Sequence, residues 1–318
     1  MGPEFAFVAE PHDMRAVVSM HALRGLGYDA RTYGLDAVAA ELMGAKVVVV
    51  RIFDFLKEEF LPNPKLICDM SEVPAGQDLE LCRRAAGRGA RFSAASEHLA
   101  QAASRLLGRP VEHVPEPADT AQFEPRAARA RKRSRALDWL AERAGLEKDP
   151  WRLRLLWSGG EAELESLAAA AGALERLGRE LPLELRCLAP AGPALEALAD
   201  RLVERDPDAL RIALQAWSMP AQAQRLGECD FVLLPGSVAR LASSLYAGRL
   251  ALARPHPEFG ALAGYAWVGE DPCEGIRWAL ADPRAALERL RRGQQYVNPI
   301  HAPSAVARAW VRIFMKGA

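Results

Sequence analysis

The sequence predicts an α/β protein made of two doubly wound domains, each with a mostly parallel sheet. Three observations carry this. Short apolar runs alternate with helical patterns from residue 5 to residue 281, which is the order of βαβ units. Several runs are continuous, such as Val47-Val48-Val49-Val50 and Phe231-Val232-Leu233-Leu234, as in strands buried on both faces. A proline-punctuated and then arginine-rich break over 115–135 divides the alternation in two, and 318 residues are enough for two cores.

In the first half, a strand over 5–9 runs into the polar turn Glu10-Pro11-His12-Asp13. A helix over 14–26 places Val17, Val18, Leu23 and Leu26 on one face and ends at Gly25-Leu26-Gly27. Strands follow over 28–33 and 46–52, the latter with four consecutive β-branched valines. A fourth strand over 65–68 closes on Asp69-Met70-Ser71-Glu72. A helix over 78–88, a strand over 90–93, a helix from Ser96 to Leu107 and a strand over 111–114 complete the half.

The connector 115–125 is rich in proline, and 126–135 packs Arg126, Arg129, Arg131, Lys132, Arg133 and Arg135 together. That run is either a solvated helix face or a contact for an anionic substrate or membrane surface. The boundaries drawn are an N-terminal domain over 1–122, a basic connector over 123–150 and a C-terminal domain over 151–302.

In the second half, a strand over 152–157 ends in Ser158-Gly159-Gly160, and a long helix runs over 161–180. A strand over 183–188, a helix over 193–204, a strand over 211–215 and a helix over 220–227 come next. The strand 231–234 is broken by Pro235-Gly236-Ser237, which can cap the helix over 238–247. Gly248 suits the end of that helix, and 250–253 begins another strand. A strand over 265–268, helices over 273–281 and 283–292, and an amphipathic helix over 303–314 close the chain.

Lys plus Arg equals Asp plus Glu at 41 each, which argues against a nucleic-acid partner recruited by bulk charge. The five cysteines, Cys68, Cys82, Cys187, Cys229 and Cys273, are never spaced as a metal knuckle and read as free thiols in a reducing compartment. No apolar run approaches about 18 residues, and no basic-then-apolar leader is present. The expected location is the cytoplasm, with room for peripheral contact at the inner membrane face.

An ordered series of segments resembles the GT-B glycosyltransferases, and among them glycosyltransferase family four. Val111 to Pro125 is similar to their inter-domain segment, including Asp119-Thr120 and Phe123. Arg154 to Gly160 is similar to their first C-domain strand and glycine-containing loop. Ala216-Trp217-Ser218, Cys229 to Pro235, Tyr265 to Val268, Gly275 to Trp278 and Trp310 resemble the remainder, closing as bacterial members do. The resemblance implies two Rossmann-like domains facing a cleft, with a nucleotide-diphosphate sugar on the C-domain and the acceptor on the N-domain. The last helix would cross back to the N-domain. It implies no cofactor beyond the donor substrate and no metal.

The proposed donor loops make physical sense. Glycines at 159 and 160 allow close backbone approach, and the helix behind Ser158-Gly159-Gly160 offers its positive end to phosphate. The alternative is an ordinary strand-to-helix turn. Glu161 and Glu163 complement the helix end but would repel a phosphate there, and the chain carries Glu161, Glu163 and Glu165 where many members of the family carry Arg and Lys. In the segment 236–245, Ser237, Arg240 and Leu241 match the family pattern, with Arg240 placed to reach a phosphate or else to form a surface salt bridge. Gly236 stands where the family has a diphosphate-binding Lys, and Ser243 where it has a ribose-binding Glu, so a point charge and a strong acceptor are missing. Glu258, in the loop His256-Pro257-Glu258, is a candidate for sugar hydroxyls or else a solvated carboxylate.

Catalytic candidates lie in the first half. His12 follows the first strand and is either a cleft residue or a surface histidine. Asp69 and Glu72 follow the fourth strand. Asp69 would orient or deprotonate an acceptor hydroxyl, or else cap a helix. The expected function is sugar transfer from a nucleotide-diphosphate sugar to a glycan, lipid-linked glycan or protein, with retention by analogy. The alternatives are a degenerate GT-B protein that binds without turnover and a nucleotide-sugar epimerase on the same architecture.

Overall fold

The computed structural model describes residues 4–10, 13–34, 42, 44–51, 65–126, 152–160, 163–202, 206–234 and 236–315. His12, Glu161 and the basic run beyond Arg126 lie outside them. The chain divides into two compact units, one of Met1–Asp119 with Val297–Ala318 and one of Thr120–Tyr296.

The first unit contains β1 (Phe5–Val8), α1 (Met14–Gly25), β2 (Ala30–Tyr33), β3 (Val47–Arg51), β4 (Leu66–Met70), α2 (Gly76–Gly87), β5 (Arg91–Ala94), α3 (Glu97–Leu107) and β6 (Glu112–His113). The strands form a parallel sheet in the order β2-β1-β3-β4-β5-β6. All of β1 and the valines of β3 are buried, as their unbroken apolar runs require. Asp13 caps α1 by accepting from the Ala16 amide at 3.1 Å, and Ser96 caps α3 by accepting from the Leu99 amide at 3.1 Å. The second strand begins at Ala30 rather than residue 28, because the Tyr28 amide donates to the Leu23 carbonyl and closes the end of α1.

The second unit contains β7 (Leu153–Ser158), α4 (Leu164–Gly178), β8 (Leu183–Ala189), α5 (Pro193–Leu202), β9 (Leu210–Ala216), α6 (Met219–Glu228), β10 (Phe231–Leu234), α7 (Val238–Tyr246) and β11 (Leu250–Ala253). A 3-10 helix (Pro257–Tyr265), β12 (Trp267–Val268), α8 (Pro272–Ala281) and α9 (Pro283–His301) follow, with α9 counted in the first unit from Val297 onward. The parallel sheet runs β12-β11-β10-β7-β8-β9. Leu153, Leu155 and Trp157 of β7 pack with Leu167 and Leu174 of α4, Phe231 of β10 and Ile276 of α8.

In the second unit two elements differ most from the sequence expectation. The strand expected over 265–268 shrinks to β12, because the preceding residues coil into the 3-10 helix and bury Phe259 and Leu262. The helix expected to stop at residue 292 continues to His301. Gly293, which breaks the pattern in sequence, lies where a Cβ would sit 2.8 Å from Cβ of Tyr265. Glycine lets the helix approach that segment, and the Tyr265 and Tyr296 rings lie 5.0 Å apart.

The last helix, α10 (Pro303–Met315), belongs to the first unit. Its Trp310 is fully buried, sits edge-on to Phe7 at 5.7 Å and donates from Nε1 to Ser19 Oγ at 3.0 Å. Among the described residues no helix is long and apolar enough to cross a membrane. All five cysteines are buried free thiols, and burial pushes those of Cys82, Cys229 and Cys273 up to about 12.

Candidate functional site

In the second unit the strand order reverses between β7 and β10. The chain goes outward from β7 to β8 and β9, then returns to lay β10 on the other side of β7. Loops leaving such a pair diverge and open a crevice at the strands' carboxyl ends, where α/β sheets take their ligands. The two loops picked out from the sequence leave these two strands.

Ser158 is the buried last residue of β7, and the Gly159 amide donates to the Leu188 carbonyl at 3.1 Å. A Cβ at Gly159 would overlap the Trp157 ring and lie 2.6 Å from Glu163 Oε2, so only glycine fits. The Gly160 amide donates to Glu163 Oε2 at 3.0 Å. After β10, Ser237 caps α7, its Oγ accepting from the Arg240 amide at 3.4 Å. Arg240 then crosses to Glu163, with Nη1 2.7 Å from both carboxylate oxygens. One carboxylate therefore accepts from the first loop's backbone and the second loop's guanidinium, and both side chains are half-buried.

The third loop, after β11, meets the same place. His256 Nδ1 accepts from the Glu258 amide at 3.4 Å, so the ring caps the 3-10 helix that Glu258 opens. A Cβ on Gly236 would lie 3.2 Å from that ring. The position at which the resemblance places a Lys is thus covered by His256. Ser243 is buried within α7. It borders a cavity of about 10 Å³ with Ser158, Gln222, Arg240 and Ser244, room for about one water. Ser244 Oγ donates to the Arg240 carbonyl at 2.7 Å. A larger cavity of about 250 Å³ lies beside α4, lined by Trp157, Leu167, Leu233, Leu252 and Trp267, with Arg254 at its edge. Arg254 is held by Glu270 at 2.7 Å, so this cavity offers apolar walls rather than the polar convergence above.

In the first unit, Asp69 lies inside β4 near its carboxyl end, 1% exposed. It accepts from Arg15 Nε at 2.7 Å, Arg15 Nη2 at 2.9 Å, Ser93 Oγ at 2.7 Å and Arg51 Nη1 at 3.2 Å. Arg51 Nε also pairs with Asp13 at 2.8 Å. Burial disfavours the charge of Asp69, but the Arg15 and Arg51 guanidiniums and the Ser93 hydroxyl hold its carboxyl below the usual range. A carboxylate held this way is a poor proton acceptor and a strong anchor. Arg15 also stacks 5.3 Å from the Trp310 ring. Its Nη1 has no hydrogen-bond partner among the described residues and lies 3.8 Å from Glu116 Oε1. Burial pushes the Glu116 carboxyl up, against the pull of both arginines. Glu72 is exposed just beyond β4.

The structure thus brings Gly159, Gly160, Ser237 and Arg240 together through Glu163, with Ser158 beside Arg240 at the small cavity and Glu258 one helix cap away. From the sequence, Glu163 reads as a complement to the helix end that would repel a phosphate. Its partner is 77 residues away, a separation that no local period reports. Arg15 and Arg51 were likewise unmarked as partners of Asp69. The available hint was Arg15 sharing a helix face with Val18, Ala22 and Leu26.

No family model matches the sequence, and no curated protein does. Solved structures do match in fold. A glycosyltransferase from Rickettsia africae superposes with a TM-score of 0.66 at 8% identity, over 99% of this chain and 98% of that one. Anabaena HepE, solved in complex with UDP, gives 0.64 at 9% identity, over 98% and 100%. A Listeria monocytogenes protein assigned as a UDP-N-acetylglucosamine 2-epimerase gives 0.59 at 11%, over 100% and 98%. With two α/β units, each built on a six-stranded parallel sheet, this chain has the GT-B fold found in glycosyltransferases.

Proposed function

We propose that the chain is a glycosyltransferase that takes a sugar from a nucleotide-diphosphate donor bound at the switch point of the second unit. One observation carries this. The Gly159-Gly160 backbone, the N-terminus of α7 and Arg240 converge at the carboxyl ends of β7 and β10. Backbone donors, a helix N-terminus and a guanidinium are what a diphosphate needs. The UDP carried by HepE, a structure of the same fold, supports this class of ligand.

In this reading Arg240 and the Gly160 amide bind the diphosphate, Ser158 and Ser237 shape the crevice, and Glu258 lies on the sugar side. No metal takes part. The first unit handles a glycan, lipid-linked or protein acceptor. Asp69 fixes Arg15 and Arg51 at the sheet's carboxyl edge, which leaves His12 and Glu72 as the candidates to touch an acceptor hydroxyl. Transfer with retention is the expectation carried over from family four.

A second reading has its own support. With Gly236 and Ser243 in place of a Lys and a Glu, the fold would serve as a nucleotide or glycan binder without turnover. Titration calorimetry with UDP, GDP and ADP, followed by hydrolysis and transfer assays with the matching sugar nucleotide, separates the two. Arg240→Ala should weaken diphosphate binding about tenfold, the loss of one charge-assisted contact. Unchanged affinity would overturn the assignment of Arg240. The proposal fails altogether if neither the wild type nor Glu163→Gln binds any of the three nucleotides.

A further inference from the structure

We infer that Glu163 is a built-in competitor for the donor's diphosphate and so sets the affinity of the site. The inference rests on the donor site just proposed. Glu163 sits at the N-terminus of α4, which has no side-chain cap hydrogen bond of the usual kind. Its carboxylate instead turns back to the loop, accepts from the Gly160 amide at 3.0 Å and takes Arg240 Nη1 at 2.7 Å on each oxygen. These are the donors a phosphate would use: one backbone N–H after β7 and the guanidinium on α7. A carboxylate and a phosphate present the same acceptor geometry to such a pair. The glycine at 159 admits this carboxylate, since Oε2 lies 2.6 Å from where a Cβ would be.

The consequence follows from charge. Arg240 is already neutralised, and His256 rather than a Lys covers Gly236. An incoming diphosphate must displace Glu163 from both donors or lie beside a like charge. Its affinity is lower by the free energy of the internal contact. Because Glu163 and Arg240 are half-buried, that contact is partly screened and can be broken by ligand. A purely structural tether between the two loops predicts the opposite result. Removing it would loosen the crevice and weaken binding.

The test is calorimetry of the full chain with UDP, GDP and ADP, and with the matching nucleosides, which carry no phosphate. Glu163→Gln keeps an oxygen for the Gly160 amide and removes the charge. It should bind the preferred diphosphate about tenfold more tightly than wild type, about 1.4 kcal/mol, with nucleoside affinity unchanged. Glu163→Ala should tighten it as well. In an Arg240→Ala background the gain should differ from that in wild type but not vanish, because the two side chains are coupled while Glu163 still holds the Gly160 amide and keeps its charge. Thermal melts of each variant check that it is folded. If wild type binds and Glu163→Gln binds within twofold of it, or more weakly, the inference is wrong while the donor-site reading stands. An equal gain for the nucleoside also overturns it. Absence of binding by both proteins overturns the inference together with the donor site.

Discussion

Asp69→Asn is the most informative single change in the first unit. The substitution keeps shape and removes one negative charge from a place that is 1% exposed. Four donors converge on the carboxylate, two from Arg15, one from Ser93 and one from Arg51. An Asn amide has one oxygen to offer, and its NH₂ turns a donor toward another donor. At least two of the four bonds are lost, each worth roughly 1.5–3 kcal/mol with a charged partner. Arg51 keeps Asp13, but the only carboxylate still near Arg15 among its described ion pairs is Glu116 at 3.8 Å. Breaking a buried pair by removing one partner costs about 3–5 kcal/mol, and the two routes to the figure agree. For a protein of this size that lowers Tm by roughly 5–8 °C.

Calorimetric melts and urea titration at neutral pH measure it. A loss below about 1 kcal/mol would refute the view that Asp69 anchors the unit. Arg15→Met on top of Asp69→Asn should recover part of the loss by removing the orphaned cation. The pH profile gives a second check. The folded-state carboxyl is held below its unfolded value of about 4, so its stabilisation is present above that value and is lost as pH falls through the folded one. Wild type should lose stability on acidification below about pH 4, and Asp69→Asn should be flatter there.

Two further changes test the second unit. Arg249 is buried and donates to the carbonyls of Glu124, Leu226, Gly227, Ala247 and Gly248, so Arg249→Met should cost about 3–5 kcal/mol in chemical denaturation by stranding those acceptors. Gly159→Ala should destabilise by about 1–3 kcal/mol, since its methyl would overlap the buried Trp157 ring; an unchanged melt would show that the turn has slack.

The legible parts of this protein were those carried by short-range pattern. Four valines in a row in β3 and Phe231 to Leu234 in β10 announced buried parallel strands, because a strand covered on both faces has no polar side to show. Ser96 and Ser237 announced helix starts, because a cap acts within three residues. Boundaries went astray where packing overrode a local signal. Gly293 reads as a stop, yet it lies inside α9, where a missing side chain lets the helix meet Tyr265.

The sequence by itself determined the α/β class, the alternation of strand and helix, and the two loops that leave β7 and β10. Tertiary structure decided what those loops and their charges do. Strand order set β7 beside β10 and so brought Arg240 to Glu163, turning a charge read as repulsive into the partner of the donor-loop arginine. It also wrapped Asp69 in Arg15, Arg51 and Ser93, turning a candidate base into a buried anchor. The physical reason is the same in both places. Periodicity and capping act over a few residues and are written in the local chain, whereas an ion pair is decided by which distant segments the sheet order makes neighbours.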